Sequence, residues 1–235
     1  MNDSAVTVFD HPEFANFFRY FKGESQQLDG VELLRKALAE INPSLLSSDA
    51  EWVKKYRERP IGGGNPLTIP YQSQNDNASG AGYRECFSSS CAMLAMFWDR
   101  VPNDDAYNEV RAKYGDSTSS EAQLLALRSL GLKADFHTSG TAADLEHEIL
   151  QGRPVAVGWL HHGTPQAPSG GGHWSVVIGF TPNHFFLNDP NGEADLVNGG
   201  YVSHQGGAGV AYTRQNWLPR WMPGGSGGWY LTARH

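Results

Sequence analysis

The sequence predicts an α+β fold, with helices gathered in the first part of the chain and strands in the second. Three observations carry this reading. Apolar residues recur at helical spacing through the N-terminal quarter. A stretch from Phe87 to Trp98 is apolar nearly all round, which describes a buried helix. Four segments, 154–160, 173–180, 184–189 and 228–232, have the composition of strands. With 235 residues, 40% of them hydrophobic, the chain can bury a sizeable core.

In order, Phe14, Phe17, Phe18 and Phe21 stand on one helical face, and Leu28, Val31, Leu34, Leu38 and Ile41 form an amphipathic stripe that Pro43 ends. Asp49 is placed to cap a third segment carrying Trp52, Val53 and Tyr56. Residues 1–58 are therefore expected to be a helical N-terminal extension packed on the core, and "RPIGGGNP" at 59–66 a linker to the main domain, 67–235. "LTIPYQSQ" (67–74) reads as extended. Thr118 and Glu121 form a capping-box pattern ahead of "AQLLALRSLGL", with Gly131 as its stop. Thr141 and Asp144 open a further helix that ends near Gly152. The glycine clusters mark loops, and there are no internal repeats or heptads.

Composition excludes several classes of function. A formal charge of −7 and a pI near 5.7 argue against nucleic acid as the main partner. No apolar run reaches the roughly 18 residues of a membrane span, so no membrane insertion is expected. The start, "MNDSAVTVFDHPEF", lacks the basic and apolar regions of a signal peptide. Synthesis and retention in a cytoplasm is the expectation, and there a structural disulfide is rare.

That matters for "YRECFSSSCAML" (83–94), which holds both cysteines. Two cysteines five apart fit no standard zinc pair, and no metal or other cofactor is expected. Cys91 lies inside the apolar run, as a small core residue does. Cys86 lies at its polar front edge. A sulfur at a helix N-terminus meets unpaired N–H groups and the positive end of the helix dipole, which favour thiolate.

A nucleophilic cysteine needs a base and a group that orients it. Among nine histidines, His11, His137, His147, His204 and His235 sit in ordinary polar contexts, and His161 and His162 in a loop. His173 follows "SGGG" and begins "HWSVVIGF"; the next strand, "HFFLND", ends in Asp189. An antiparallel hairpin closing at "FTPN" brings His173 beside Asp189 and leaves His184 at the turn. The expected constellation is Cys86–His173–Asp189. An oxyanion donor completes it: Gln74 or Gln72, with Asn75 a weaker choice.

These segments, "IPYQSQNDN", "CFSSSCAMLAMF", "GGGHWSVVIGF" and "FFLNDPNG", resemble in order the papain-like cysteine peptidases related to the leader-processing domains of bacteriocin exporters. They are most similar to the stand-alone branch found in bacteriophage lysis proteins. The resemblance spans roughly 67–235 and departs from the family in a longer stretch between glutamine and cysteine. It implies a papain-like fold, in which a buried helix carrying the cysteine packs on an antiparallel sheet carrying the histidine and aspartate. It also implies Cys86 as nucleophile, His173 as base, Asp189 as orienting carboxylate and Gln74 as oxyanion donor. The expected activity is that of a phage-type endolysin, a monomeric thiol endopeptidase or amidase cutting an amide bond in peptidoglycan peptides. Such a protein waits in the host cytoplasm until lysis and then reaches the cell wall. The alternatives are a processing peptidase acting on protein and a non-catalytic wall-peptide binding module.

Overall fold

The computed structural model describes residues 65–225 and 227–235; the helices expected in 1–58 and most of the linker lie outside the described residues. Short 3-10 turns at Gln74–Asp76 and Gly82–Arg84 lead into α1, Cys86–Phe97. There follow α2 (Asp104–Arg111), α3 (Ser120–Ser129), β1 (Lys133–Gly140) and α4 (Ala142–Leu150). Next are β2 (Val155–Trp159), the small ribbon of β3 (His162–Thr164) and β4 (Ala167–Ser169), then β5 (His173–Phe180) and β6 (His184–Asn188). The chain closes with β7 (Glu193–Ala194), β8 (Tyr201–Ser203), β9 (Val210–Thr213), α5 (Arg214–Trp221) and β10 (Gly228–Arg234).

The main sheet is antiparallel with strand order β1-β10-β2-β5-β6-β9. It is covered on both faces. Ala156 and Val176 point into a core with Phe87, Met93 and Leu94 of α1, and Tyr107 and Leu127 behind them. The alternate residues Val155, Val157 and Val177 point into a second core with Leu145, Ile149, Trp217 and Trp221 of α4 and α5. An antiparallel sheet usually keeps one face in water. Here both are buried, which is why "HWSVVIGF" is apolar at nearly every position rather than alternating.

The α1 helix is wrapped on all sides, and its serines are buried too. Ser88 Oγ accepts from Gln123 Nε2 at 2.9 Å, and Ser89 Oγ donates to Asp104 Oδ2 at 3.1 Å, so α2 and α3 are fastened to α1 by polar contacts as well as apolar ones. Helix α4 opens at Thr141 and Asp144 as expected, and the two form a capping box. For α3 the cap is Ser119, whose side chain accepts from Ala122 N. Thr118, expected there, instead donates to Asp116.

Three features depart from expectation. Residues 67–73 form no strand; the segment is held at its ends, where Leu67 N donates to Ile178 O and Gln74 N to Pro190 O. Asn65 belongs to the folded unit, because its side chain both donates to Phe180 O and accepts from Phe180 N. Strand β1 and helix α5 form where the sequence pattern marks no element, and β10 inserts between β1 and β2 in the sheet.

Arg220 of α5 is fully buried. Its guanidinium donates to the carbonyls of Leu160, His162, Gly163 and Leu196 at 2.6–3.2 Å. One side chain therefore holds the loop after β2 and the segment after β7 together. Arg220→Ala would leave several carbonyls without donors, and a cost of about 3 kcal/mol or more is expected in denaturant unfolding. Arg220→Lys should recover little, because a point ammonium cannot reproduce the planar fork.

Candidate active site

Cys86 is the first residue of α1, and Glu85 before it is the N-cap. Glu85 is buried, and its carboxylate accepts from Asn77 Nδ2 and Ser79 Oγ, both at 2.7 Å. The loop that leads into α1 is thus tied to the residue next to the thiol. As first residue of a helix, Cys86 has a backbone N–H that no helical carbonyl accepts from. Both cysteines are free; Cys86 is partly exposed and Cys91 fully buried. Burial pushes the Cys91 thiol well above its ordinary range, so at neutral pH it is an un-ionised core residue.

The β5–β6 hairpin closes at 181–183, with a one-residue shift in its ladder between Val177 and Gly179. Val176 faces Asn188, and Asp189 lies one residue past β6, back beside the start of β5. His173 Nε2 meets Asp189 Oδ1 at 2.7 Å, and both side chains are buried. His184 pairs with Thr213 at the turn end. With Nε2 committed to Asp189, Nδ1 is the ring nitrogen left to exchange a proton with Cys86. Burial opposes charge on His173, but the Asp189 carboxylate outweighs it by charge and hydrogen bond. Cys86 adds to this, and the imidazole pKa is raised to about 10.

Asp189 is itself fully satisfied. Oδ1 also accepts from Asn191 N at 3.0 Å, and Oδ2 accepts from the Tyr212 hydroxyl at 3.0 Å. That hydroxyl in turn accepts from Ala194 N. The Asp189 backbone donates to Gly207 O and accepts from the Tyr71 hydroxyl. A Cβ on Gly207 would overlap the Asp189 carbonyl, so the close approach requires glycine there.

Gln74 and Gln72, both candidates on sequence, go to different places. Gln72 Nε2 donates to its neighbour Tyr71 O, and its Oε1 accepts from Asp104 N at the start of α2. Gln74 is buried, and its Nε2 donates to Gly82 O at 2.8 Å, in the turn just before Cys86. One hydrogen of that amide remains free. A Cβ on Gly82 would overlap the Gln74 carbonyl oxygen, so Gly82 has to lack a side chain for the two turns to meet. Asn75 is exposed and donates to His204 O.

Sequence reasoning missed Tyr212, Tyr71, Gly207 and Gly82, and it set His161 aside as a loop residue. The His161 ring lies 5.7 Å from the His173 ring, centroid to centroid. "SGAGYREC" offered a signal for Gly82 in its clustered glycines; nothing local marked Tyr212, which a distant strand supplies. Among the described residues no group of three or more His, Cys, Asp or Glu could hold a metal ion, and no helix is long and apolar enough to cross a membrane. A cavity of about 450 Å³ lined by Pro165, Pro168, Arg214, Leu218 and Met222 contains none of these candidate residues.

The sequence model of the Peptidase_C39 like family matches residues 66–200. Among solved structures, the chain is similar to a double glycine motif protease from an AMS/PCAT transporter, determined in complex with the leader peptide. That match has 20% identity and a TM-score of 0.43, and covers 72% of this chain and 93% of that one. A putative C39-like peptidase from Bacillus anthracis matches at 15% identity, covering 72% and 95%, with a TM-score of 0.47. The peptidase domain of Streptococcus ComA, a bi-functional ABC transporter involved in quorum sensing, matches at 15% identity, covering 65% and 92%, with a TM-score of 0.43. No curated protein matches the chain.

The two glutamines can be told apart by substitution. Gln74→Ala is expected to lower kcat about 10²-fold or more with little change in KM, the signature of a lost oxyanion donor. Gln72→Ala should leave kcat near that of the wild type. Gly82→Ala should approach the Gln74→Ala phenotype, because the added methyl forces the Gln74 turn away from Cys86. Steady-state kinetics on one peptide substrate reads all three.

Proposed function

The chain belongs to the Peptidase_C39 like family of cysteine peptidases, and we propose that it is a phage-type endolysin whose thiol cuts an amide bond in peptidoglycan peptides. The observation that carries the catalytic part is the buried His173–Asp189 pair, at 2.7 Å, beside a cysteine at a helix start. The order of the segments "SQNDN", "CFSSSCAMLAMF", "HWSVVIGF" and "NDP", similar to that of phage lysis proteins, supports the wall substrate.

Each residue then has a chemical task. The Cys86 thiolate attacks the amide carbonyl, and its electron pair forms the S–C bond while the carbonyl becomes an oxyanion. The free N–H of Gln74 and the backbone N–H of Cys86 are the donors for that oxyanion. The His173 imidazolium gives its Nδ1 proton to the leaving amine, and the C–N bond breaks to leave a thioester. His173 then takes a proton from water, which attacks the thioester and releases the acid and the thiol. Asp189 holds the ring orientation and balances the imidazolium throughout.

Purified sacculi incubated with the protein and analysed by mass spectrometry test the substrate. New amine and carboxylate termini at one peptide bond are expected, and intact sacculi with digestion of a casein-type substrate would move the assignment to a processing peptidase. Cys86→Ser should abolish cleavage and keep the fold, since a hydroxyl here is a far poorer nucleophile. Cys91→Ser should keep most activity and lose about 1–3 kcal/mol of stability through a buried polar group. EDTA should have no effect, whereas a thiol alkylator should stop the reaction.

The pH profile follows from His173. Attack requires the thiolate with a protonated imidazole, so kcat/KM should fall at high pH as His173 loses its proton near pH 10. Asp189→Asn removes the charge that raises this pKa. The alkaline limb should therefore move to lower pH, and kcat should drop by orders of magnitude. An alkaline limb that stays in place in Asp189→Asn would contradict the pairing as the source of the shift.

A further inference from the structure

We propose that His161 and Tyr201 form a subsite that binds a carboxylate of the substrate peptide next to the scissile amide. The inference builds on the hydrolase assignment and specifies the substrate more closely. Both rings lie against the candidate base: His161 and Tyr201 are each 5.7 Å from His173, centroid to centroid, and 6.0 Å from one another. His161 Nδ1 and the Tyr201 hydroxyl are buried and have no hydrogen-bond partner. The Asn191 side chain is near the Tyr201 hydroxyl but does not satisfy it. A buried polar atom left unpaired in a native protein calls for a reason, such as a ligand, a water or an ion, and two such atoms here border the same catalytic ring.

The charge behind them selects the ligand. Arg220 is fully buried, and all of its hydrogen bonds go to backbone carbonyls. No ion pair to it is formed among the described residues. Asp195, the carboxylate that acts on it most, is exposed and takes its hydrogen bonds from Val197 and Asn198. A buried cation without a carboxylate is unusual, and its charge reaches His161. Burial, with the charges of His173 and His162, holds His161 neutral, its pKa lowered to about 4. Burial and the Asp189 charge push the Tyr201 phenol up, so it stays a donor. An incoming carboxylate would accept from the phenol and from an imidazole N–H, and would balance Arg220. A neutral amide would leave that charge uncompensated.

Arg220 also fixes the geometry. Its bonds to Leu160 and His162 bracket His161, and the His161 carbonyl accepts from Gly200 N, next to Tyr201. The two side chains are therefore presented by a loop pair that one cation and one backbone bond hold in register.

Calorimetric titration of the full-length Cys86→Ala protein with a wall stem tetrapeptide, and with the same peptide fully amidated, tests the subsite. The chain's net charge of −7 works against the free acid, which makes the comparison stringent. The free acid is expected to bind at least tenfold more tightly. In Tyr201→Phe and in His161→Gln that preference should fall towards one, while affinity for the amidated peptide and the melting temperature stay near those of the parent. Equal affinities, a preference unchanged in both variants, or binding of neither peptide overturns the subsite. Digestion of sacculi by the wild type reads the hydrolase assignment separately: digestion without carboxylate preference sinks the subsite alone. A carboxylate preference in a protein that digests no sacculi sinks the wall-substrate assignment alone.

Discussion

The geometry of the site depends on one aromatic contact. Phe87, the residue after Cys86, stacks on Trp174, the residue after His173, with ring centroids 3.6 Å apart and planes 6° from parallel. The cysteine lies at the start of α1 and the histidine at the start of β5, elements far apart in sequence. A stacked pair one residue beyond each fixes both the distance and the rotation between them. Gly158 makes room for it, since a Cβ there would press on the Trp174 indole at 2.9 Å. The pair contributes on the order of 1 kcal/mol beyond its buried area. Its larger consequence is positional, because a misplacement of about 1 Å between reacting groups costs about 10²-fold in rate.

A second constraint acts on Asp189. A carboxylate buried beside an imidazole is costly unless its remaining lone pairs are used. Here the Asn191 N–H and the Tyr212 hydroxyl use them, and Tyr212 is fixed in turn by Ala194 N. The backbone of Asp189 is pinned by Gly207 and Tyr71. The second face of the sheet, through β9 and the loop before it, thus supplies what keeps the His173–Asp189 pair charged in the core. That explains why Asp189 sits just past the end of β6 and not within it: only there do its backbone groups turn out of the ladder to meet Gly207.

Much of this was legible in the sequence, for local reasons. The apolar run after Cys86 gave α1, the Thr141–Asp144 pair gave the start of α4, and the "FTPN" turn between two apolar runs gave the β5–β6 hairpin. The hairpin brings His173 beside Asp189, and the bulge between Val177 and Gly179 is the part of its register that no local pattern marks. The illegible parts are those that non-local pairing decides. β10 joins the sheet between β1 and β2, and α5 carries Arg220 back to a loop some sixty residues earlier. Tyr212 carries no local pattern that ties it to Asp189. Gln74 and Gln72 are equivalent in sequence because both lie on one face of an extended chain; the 3-10 turn that begins at Gln74 breaks that face and separates them. His161 looked like a loop residue because the cation that orders its loop comes from α5.

The distribution of unmet hydrogen-bonding capacity follows from the same arrangement. Both oxygens of the Asp189 carboxylate beside His173 are engaged. Gln74 Oε1, His161 Nδ1 and the Tyr201 hydroxyl, by contrast, are buried without partners. Asn188 Nδ2, next to Asp189, and Asn77 Oδ1, on the loop that leads into α1, are unpaired as well, and Ser90 Oγ, Trp217 Nε1 and Thr232 Oγ1 lie in α1, α5 and β10. A site organised in advance for a transition state must hold its dipoles fixed before substrate arrives, and the holding groups must differ from the ones that do the binding. The engaged Asp189 carboxylate holds the ring, and the unpaired atoms of Gln74, His161 and Tyr201 are left to bind. Tyr212 and Gly207 hold Asp189 in place, Gly82 lets the Gln74 turn approach, and Arg220 holds the loop that carries His161.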